Sequence, residues 1–166
     1  MTVRIFLLCG IPGSGKSFWA EKQANTLRDQ CRVISRDKVR FSLLKDGEDY
    51  FKRENAVFAQ FVKEINDCIS VGIPYIFIDA THLTKASRAK ILNRLRIPAG
   101  VELAVEVFAT SLPTCLRRNA QRTGRARVPD DVIKNMADSF EYPWPTEFEK
   151  YGFSRIKTYR HNEGDY

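Results

Sequence analysis

The chain has no C-x-x-C pair; its four cysteines, Cys9, Cys31, Cys68 and Cys115, stand far apart, and three of them lie in or beside apolar runs. Thiols scattered in this way make no zinc site and fit reduced, buried side chains in a cytosolic protein. No stretch approaches the ~20 apolar residues that a membrane span requires. The apolar run nearest the N-terminus, Ile5 to Cys9, is five residues long before glycine interrupts it, too short for a secretory leader. Internal repeats, low-complexity tracts and linkers are missing as well. A single domain over 1–166 is therefore expected, long enough for one core and too short for two ordinary ones, with a cytoplasmic location and no membrane partner.

Negative charge is the scarcer sign, with 20 Asp and Glu against 27 Lys and Arg, a net +7. That excess suits a polyanionic partner such as nucleic acid, and is also common in soluble proteins that have none. At 43% hydrophobic and 28% charged residues the composition is globular, which excludes extended disorder.

What is present is concentrated at residues 3–17, VRIFLLCGIPGSGKS. The apolar run passes directly into Gly10-Ile11-Pro12-Gly13-Ser14-Gly15-Lys16-Ser17, which fits G-x-x-x-x-G-K-[ST] at every fixed position. The pattern brings successive backbone N–H groups onto phosphate oxygens, and glycine permits both the backbone angles and the close approach. Lys16 then reaches the β- and γ-phosphates, and the Ser17 hydroxyl is placed to bind Mg²⁺. The helical pattern that follows points its N-terminal dipole at the same anion. A nucleoside triphosphate is the expected ligand.

Short β-rich runs at 3–9, 31–35, 75–79, 101–110 and 154–159 alternate with helical patterns at 16–28, 38–44, 50–71, 85–95, 113–122 and 130–139. That alternation argues for an α/β fold, a parallel sheet of about five strands with helices on both faces. In the pattern over 50–71, Val57, Phe58, Phe61, Val62, Ile65, Ile69 and Val71, spaced three or four apart, read as a core stripe. Lys52, Arg53, Glu54, Lys63 and Glu64 fall on the other side and read as a solvated face.

In such a sheet, ligands gather at the carboxyl ends of the strands. After the second strand comes Arg36-Asp37-Lys38-Val39-Arg40. Asp37 is placed to accept a proton from an attacking hydroxyl, and Arg40, one turn on, to reach the transferred phosphoryl group. The competing reading is that Asp37 caps the helix that follows. The third strand ends in Asp79, the position from which a carboxylate helps hold Mg²⁺ beside a phosphate loop, with contact to the acceptor as the alternative. His82 follows as a loop residue with a lesser claim on substrate. Arg117, Arg118, Arg122, Arg125 and Arg127 crowd a region around 117–128. Like charges so close repel unless an anion gathers them, so the region reads as a lid over the nucleotide, with Arg118 and Arg122 on one helix face. The aromatic stretch at 140–148 reads as packing onto the sheet in preference to stacking on a base.

Taken together, GIPGSGKS, Arg36-Asp37-Lys38-Val39-Arg40, IDATHL and RRNAQRTGRARVP resemble the P-loop kinases of the polynucleotide 5′-kinase type, over about residues 3–139. The resemblance implies the strand order 2-3-1-4-5 and an arginine-rich lid. It implies Asp37 as general base on a 5′-hydroxyl, Arg40 on the scissile phosphate, and Arg118 and Arg122 clasping ATP. Arg125 and Arg127 receive no role, because the lid carries an insertion around Thr123–Arg127. No D-x-D-G-T phosphatase signature or ligase K-x-D-G spacing accompanies it. The same motifs, more loosely drawn, occur in kinases of sugars, nucleosides and other small alcohols.

The expected catalytic set is thus Asp37, Arg40, Lys16 and Arg122. The expected nucleotide-binding set is Gly13, Ser14, Gly15, Lys16, Ser17, Phe18, Arg118 and Arg122. Ser17 and Asp79 are the expected Mg²⁺ ligands. The expected reaction moves the γ-phosphoryl group of ATP to the 5′-OH end of DNA or RNA. A small-molecule kinase and an ATP-binding switch without transfer are the alternatives.

Overall fold

A computed structural model describes residues 2–160. Five strands, β1 (Arg4–Cys9), β2 (Cys31–Ser35), β3 (Tyr75–Asp79), β4 (Glu102–Phe108) and β5 (Phe153–Tyr159), form one wholly parallel sheet in the order β2-β3-β1-β4-β5. This is the order that the resemblance implied. The helices are α1 (Lys16–Leu27), α2 (Arg36–Leu43), α3 (Glu54–Ser70), α4 (Lys85–Leu92), α5 (Leu112–Ala120) and α6 (Asp130–Asp138).

Successive side chains of a strand point to opposite faces, and β1 shows what that does in a sheet covered on both sides. Ile5, Leu7 and Cys9 pack with Val57, Phe61, Ile65 and Ile69 of α3 and with Ile91 and Leu92 of α4. Phe6 and Leu8 turn the other way, to Trp19, Ala20, Ala24 and Leu27 of α1. Each fully buried Leu or Ile removed from water contributes roughly 1.5–3 kcal/mol, so the central strand is anchored from both faces. The four cysteines are free, and burial pushes the Cys9 thiol up to about 12.

β1 and β3 lie side by side, but β1 leaves through α1 on one face and β3 through α4 on the other. A crevice opens between strands whose exits diverge in this way. The backbone amide of Gly10 donates to the Thr81 carbonyl at 2.9 Å, tying the two exits together. No helix among the described residues is long and apolar enough to cross a membrane.

Two departures from the expected element boundaries bear on the site. The helix expected from residue 50 begins at Glu54. Arg53 is held by both oxygens of Glu48 at 2.7 Å, and the Tyr50 hydroxyl by Asp37, so 50–53 stay in turns off the helix axis. The helix expected to reach residue 122 ends at Ala120. There the Asn119 side chain clamps the backbone of Val128 from both sides, at 2.6 and 3.0 Å, and draws the chain back. Arg118 and Arg122 therefore do not share a helix face, although both reach the same cleft.

Candidate functional site

The loop between β1 and α1 wraps the cleft floor. Gly15, with φ +96°, leads into α1, whose first turn holds Lys16 and Ser17. Gly13 adopts φ +82°, and a Cβ there would lie 2.5 Å from the Cys115 carbonyl oxygen of α5. Only glycine allows α5 to sit directly on the loop. Thr110 Oγ1 donates to the Ser14 carbonyl at 2.8 Å, and Arg118 donates to the Gly13 carbonyl at 3.1 Å.

Lys16 is buried and donates to the Ile11 carbonyl at 3.1 Å. Burial pushes its ammonium below the ordinary lysine value, opposed by the carboxylates of Asp79 and Asp37. Asp79, closing β3, accepts from Ser17 Oγ at 2.7 Å. Burial raises its carboxyl above the usual range, and the charge of Lys16 works against that rise. One hydroxyl and one buried carboxylate are too few for a cage made by protein alone. That pair would suit a Mg²⁺ that takes the rest of its shell from phosphate oxygens and water. Among the described residues no group of three or more His, Cys, Asp or Glu could hold a metal.

The other wall comes from α2. Its N-cap is Ser35, whose side chain accepts from the Lys38 amide. Asp37 is therefore not needed as a cap, and its side chain is 56% exposed. Its Oδ1 takes two bonds of 2.5 Å, one from Arg40 Nη1 and one from the Tyr50 hydroxyl. Among the described residues Oδ2 has no hydrogen bond, so one carboxylate oxygen is held and the other is not. Arg40 is buried beneath, bonded also to Glu54 Oε1 at 2.6 and 2.9 Å and set 4.1 Å from the Tyr50 ring centre. Glu54 binds Arg36 as well, at 2.8 Å. Glu54 thus belongs to the cleft and not to the solvated face on which helical periodicity placed it.

All these groups line one cavity of about 400 Å³, into which Gly13, Gly15, Lys16, Ser17, Phe18, Asp37, Arg40, Asp79, Arg118 and Arg122 converge. Ser14, fully buried, supports the loop from behind. Arg125 faces elsewhere, donating to the Lys45 carbonyl at 2.7 Å on the opposite rim. Sequence reasoning missed Tyr50, Phe51 and Glu54, which also line the cavity. No local motif marks them: the partners of Tyr50 and Glu54 lie on α2, and Phe51 packs against Tyr50.

His82 lies buried outside the cavity, with φ +44° and Nδ1–H donating to the Leu8 carbonyl at 2.6 Å. Burial lowers its imidazole to about 4. Below pH 6.5 the unfolded chain takes up a proton that the folded chain refuses until about pH 4, so stability should fall as pH drops through that window. The expected loss is roughly 3 kcal/mol. His82→Asn keeps an N–H donor without a titration, and denaturant unfolding of the variant should lack that share of the slope. The stretch at 140–148 packs as expected at Phe148, fully buried against Phe153, and at Phe140, while Tyr142 and Trp144 stay exposed.

The profile of the AAA domain family matches residues 5–143. No curated protein matches in sequence. Among solved structures, a chain of the Pnkp1/Rnl/Hen1 RNA repair complex superposes with a TM-score of 0.70 at 20% identity, covering 83% of this chain and 44% of that one. A sugar kinase from Janibacter sp. HTCC2649 superposes at 0.64 with 13% identity, covering 96% and 86%. A gluconokinase from Sinorhizobium meliloti 1021 does so at 0.54 with 16% identity, covering 90% and 79%. The chain thus spans less than half the length of the RNA-repair chain and most of the length of the sugar kinases. At these identities the likeness is one of fold, and the fold is that of P-loop kinases.

Proposed function

Since the chain belongs to the AAA domain family and has a P-loop kinase fold, we propose that it transfers the γ-phosphoryl group of ATP to a hydroxyl, the 5′-OH end of a DNA or RNA strand. The observation that carries this reading is a half-free carboxylate, Asp37, sharing one cavity with an intact phosphate loop.

The loop amides and Lys16 hold the triphosphate. Arg118 and Arg122 approach it from the side of α5. Arg40 and Tyr50 hold Asp37 Oδ1, and Oδ2 takes the proton of the acceptor hydroxyl as its oxygen bonds to the γ-phosphorus and the bond to the β–γ bridging oxygen breaks. Arg40, already against Asp37, is positioned to follow the phosphoryl group. Ser17 and Asp79 would hold Mg²⁺, which when bound neutralises charge on the β- and γ-phosphate oxygens.

The net charge of +7 and the likeness to an RNA-repair chain favour a polynucleotide acceptor. Coverage of nearly the whole of a sugar kinase favours the second reading, a small polyol. Salt separates them. Label from γ-labelled ATP should pass to 5′-OH oligonucleotides with an acceptor KM that climbs steeply with salt, because each phosphate contact releases counterions. A neutral sugar would be nearly indifferent to salt. Labelled polyol with no labelled oligonucleotide at any salt concentration would overturn the polynucleotide assignment and leave the kinase.

A further inference from the structure

Phe51 is 56% exposed and belongs to none of the buried apolar clusters among the described residues. An apolar ring left in water without a packing role suggests a ligand, and its position suggests which one. Phe51 lines the cavity that holds Asp37 and, with Glu54, also borders a second, open concavity of about 350 Å³ that Lys52 and Asn55 help to form. The ring is a ridge between the two.

The ridge is held in place. The Phe51 and Tyr50 rings meet edge-on, with centres 4.7 Å apart at 82°. Tyr50 in turn is fixed by the Arg40 guanidinium against its face and by Asp37 at its hydroxyl. A flat apolar face therefore stands two contacts from the proposed base. In a nucleoside, one sugar ring separates the nucleobase from the 5′ oxygen, so the two ends of one acceptor nucleoside could meet Phe51 and Asp37.

Resting on the kinase reading above, we propose that Phe51 is the platform on which the terminal nucleobase of the acceptor stacks. It thereby makes the site prefer a nucleoside 5′-hydroxyl to a plain alcohol. Every base has a π-face, so the preference is for a base without regard to its sequence. The strand leaves over the ridge towards Lys52, an exposed cation that suits its next phosphate.

The test compares two 5′-OH oligonucleotides, one ordinary and one abasic at its 5′ residue, with wild type, Phe51→Ala, Phe51→Leu and Phe51→Trp. Stacking on an aromatic ring is worth roughly 5- to 150-fold in affinity. Phe51→Ala and Phe51→Leu should raise KM for the ordinary acceptor by that order, with kcat and ATP affinity little changed. Phe51→Trp should stay near wild type. For the abasic acceptor all four proteins should show one common, high KM. Equal losses on both acceptors, or no loss on either while wild type remains active, would overturn the platform and leave the kinase reading intact. A wild-type protein that labels no oligonucleotide would remove both. Phe51 is more than half exposed, so the substitutions should leave thermal unfolding nearly unchanged; should Phe51→Ala fold poorly, Phe51→Leu decides.

Discussion

Asp37→Asn should cut phosphoryl transfer by about 10²–10⁴-fold, the range removed with a general base, while ATP still binds. The substitution keeps the shape of the side chain and an oxygen for Tyr50 and Arg40, but it removes the ability to take a proton. The fold should hardly notice. Ser35 caps α2, Asp37 is half-exposed, and Arg40 keeps its two bonds to Glu54. Turning the charge-assisted bonds at Oδ1 into neutral ones should cost about 1 kcal/mol, too little to unfold the protein. Single-turnover transfer measured beside nucleotide binding checks this. A variant with full activity would point to a protein in which ATP sets a conformation, with no proton to remove.

The largest expected effect on stability lies away from the phosphates. Arg88 of α4 is fully buried and forms a fork with both oxygens of Glu147, at 2.8 and 3.1 Å, while Nη1 holds the carbonyls of His82 and Leu83. The Glu147 side chain is 7% exposed. Arg88→Met should cost about 3–5 kcal/mol, because it strands a carboxylate where water cannot reach it. The double variant Arg88→Met/Glu147→Gln should recover much of that loss, since the stranded charge is the main penalty. Chemical denaturation of Arg88→Met, Glu147→Gln and the double variant gives the cycle. The loop that Arg88 holds begins at the end of β3, so the single variant should also weaken ATP binding through Asp79.

The difference between these two residues marks what could be read from the chain alone. Lys16, Ser17, Asp37 and Asp79 sit at the carboxyl ends of β1, β2 and β3, and strand ends are legible because buried runs and turn residues bracket them. Periodicity found the α3 stripe, and the described structure uses Val57, Phe61, Ile65 and Ile69 as core, but Val71, expected in the same stripe, follows the last helical residue and is exposed. Periodicity also misled at the start of that helix. It assumed helical phase from residue 50, whereas the contacts of Tyr50 with Asp37 and of Arg53 with Glu48 hold the segment in turns. Glu54 then opens the helix facing Arg36 and Arg40. Arg88 and Glu147 are 59 positions apart, and neither neighbourhood hints at the other. Such pairs are set by tertiary packing, which no local pattern encodes. Arg125 also had no motif to place it, and the structure gives it a partner on the far rim of the cleft.

The decisive measurement is a crystal structure with a non-hydrolysable ATP analogue, Mg²⁺ and a short 5′-OH oligonucleotide. The acceptor 5′ oxygen should lie within about 3.2 Å of Asp37 Oδ2, in line with the γ-phosphorus and the β–γ bridging oxygen, with Lys16 on the terminal phosphates. A γ-phosphate pointing away from α2, or an Asp37 carboxylate turned out of the cleft once both ligands are bound, would contradict the account.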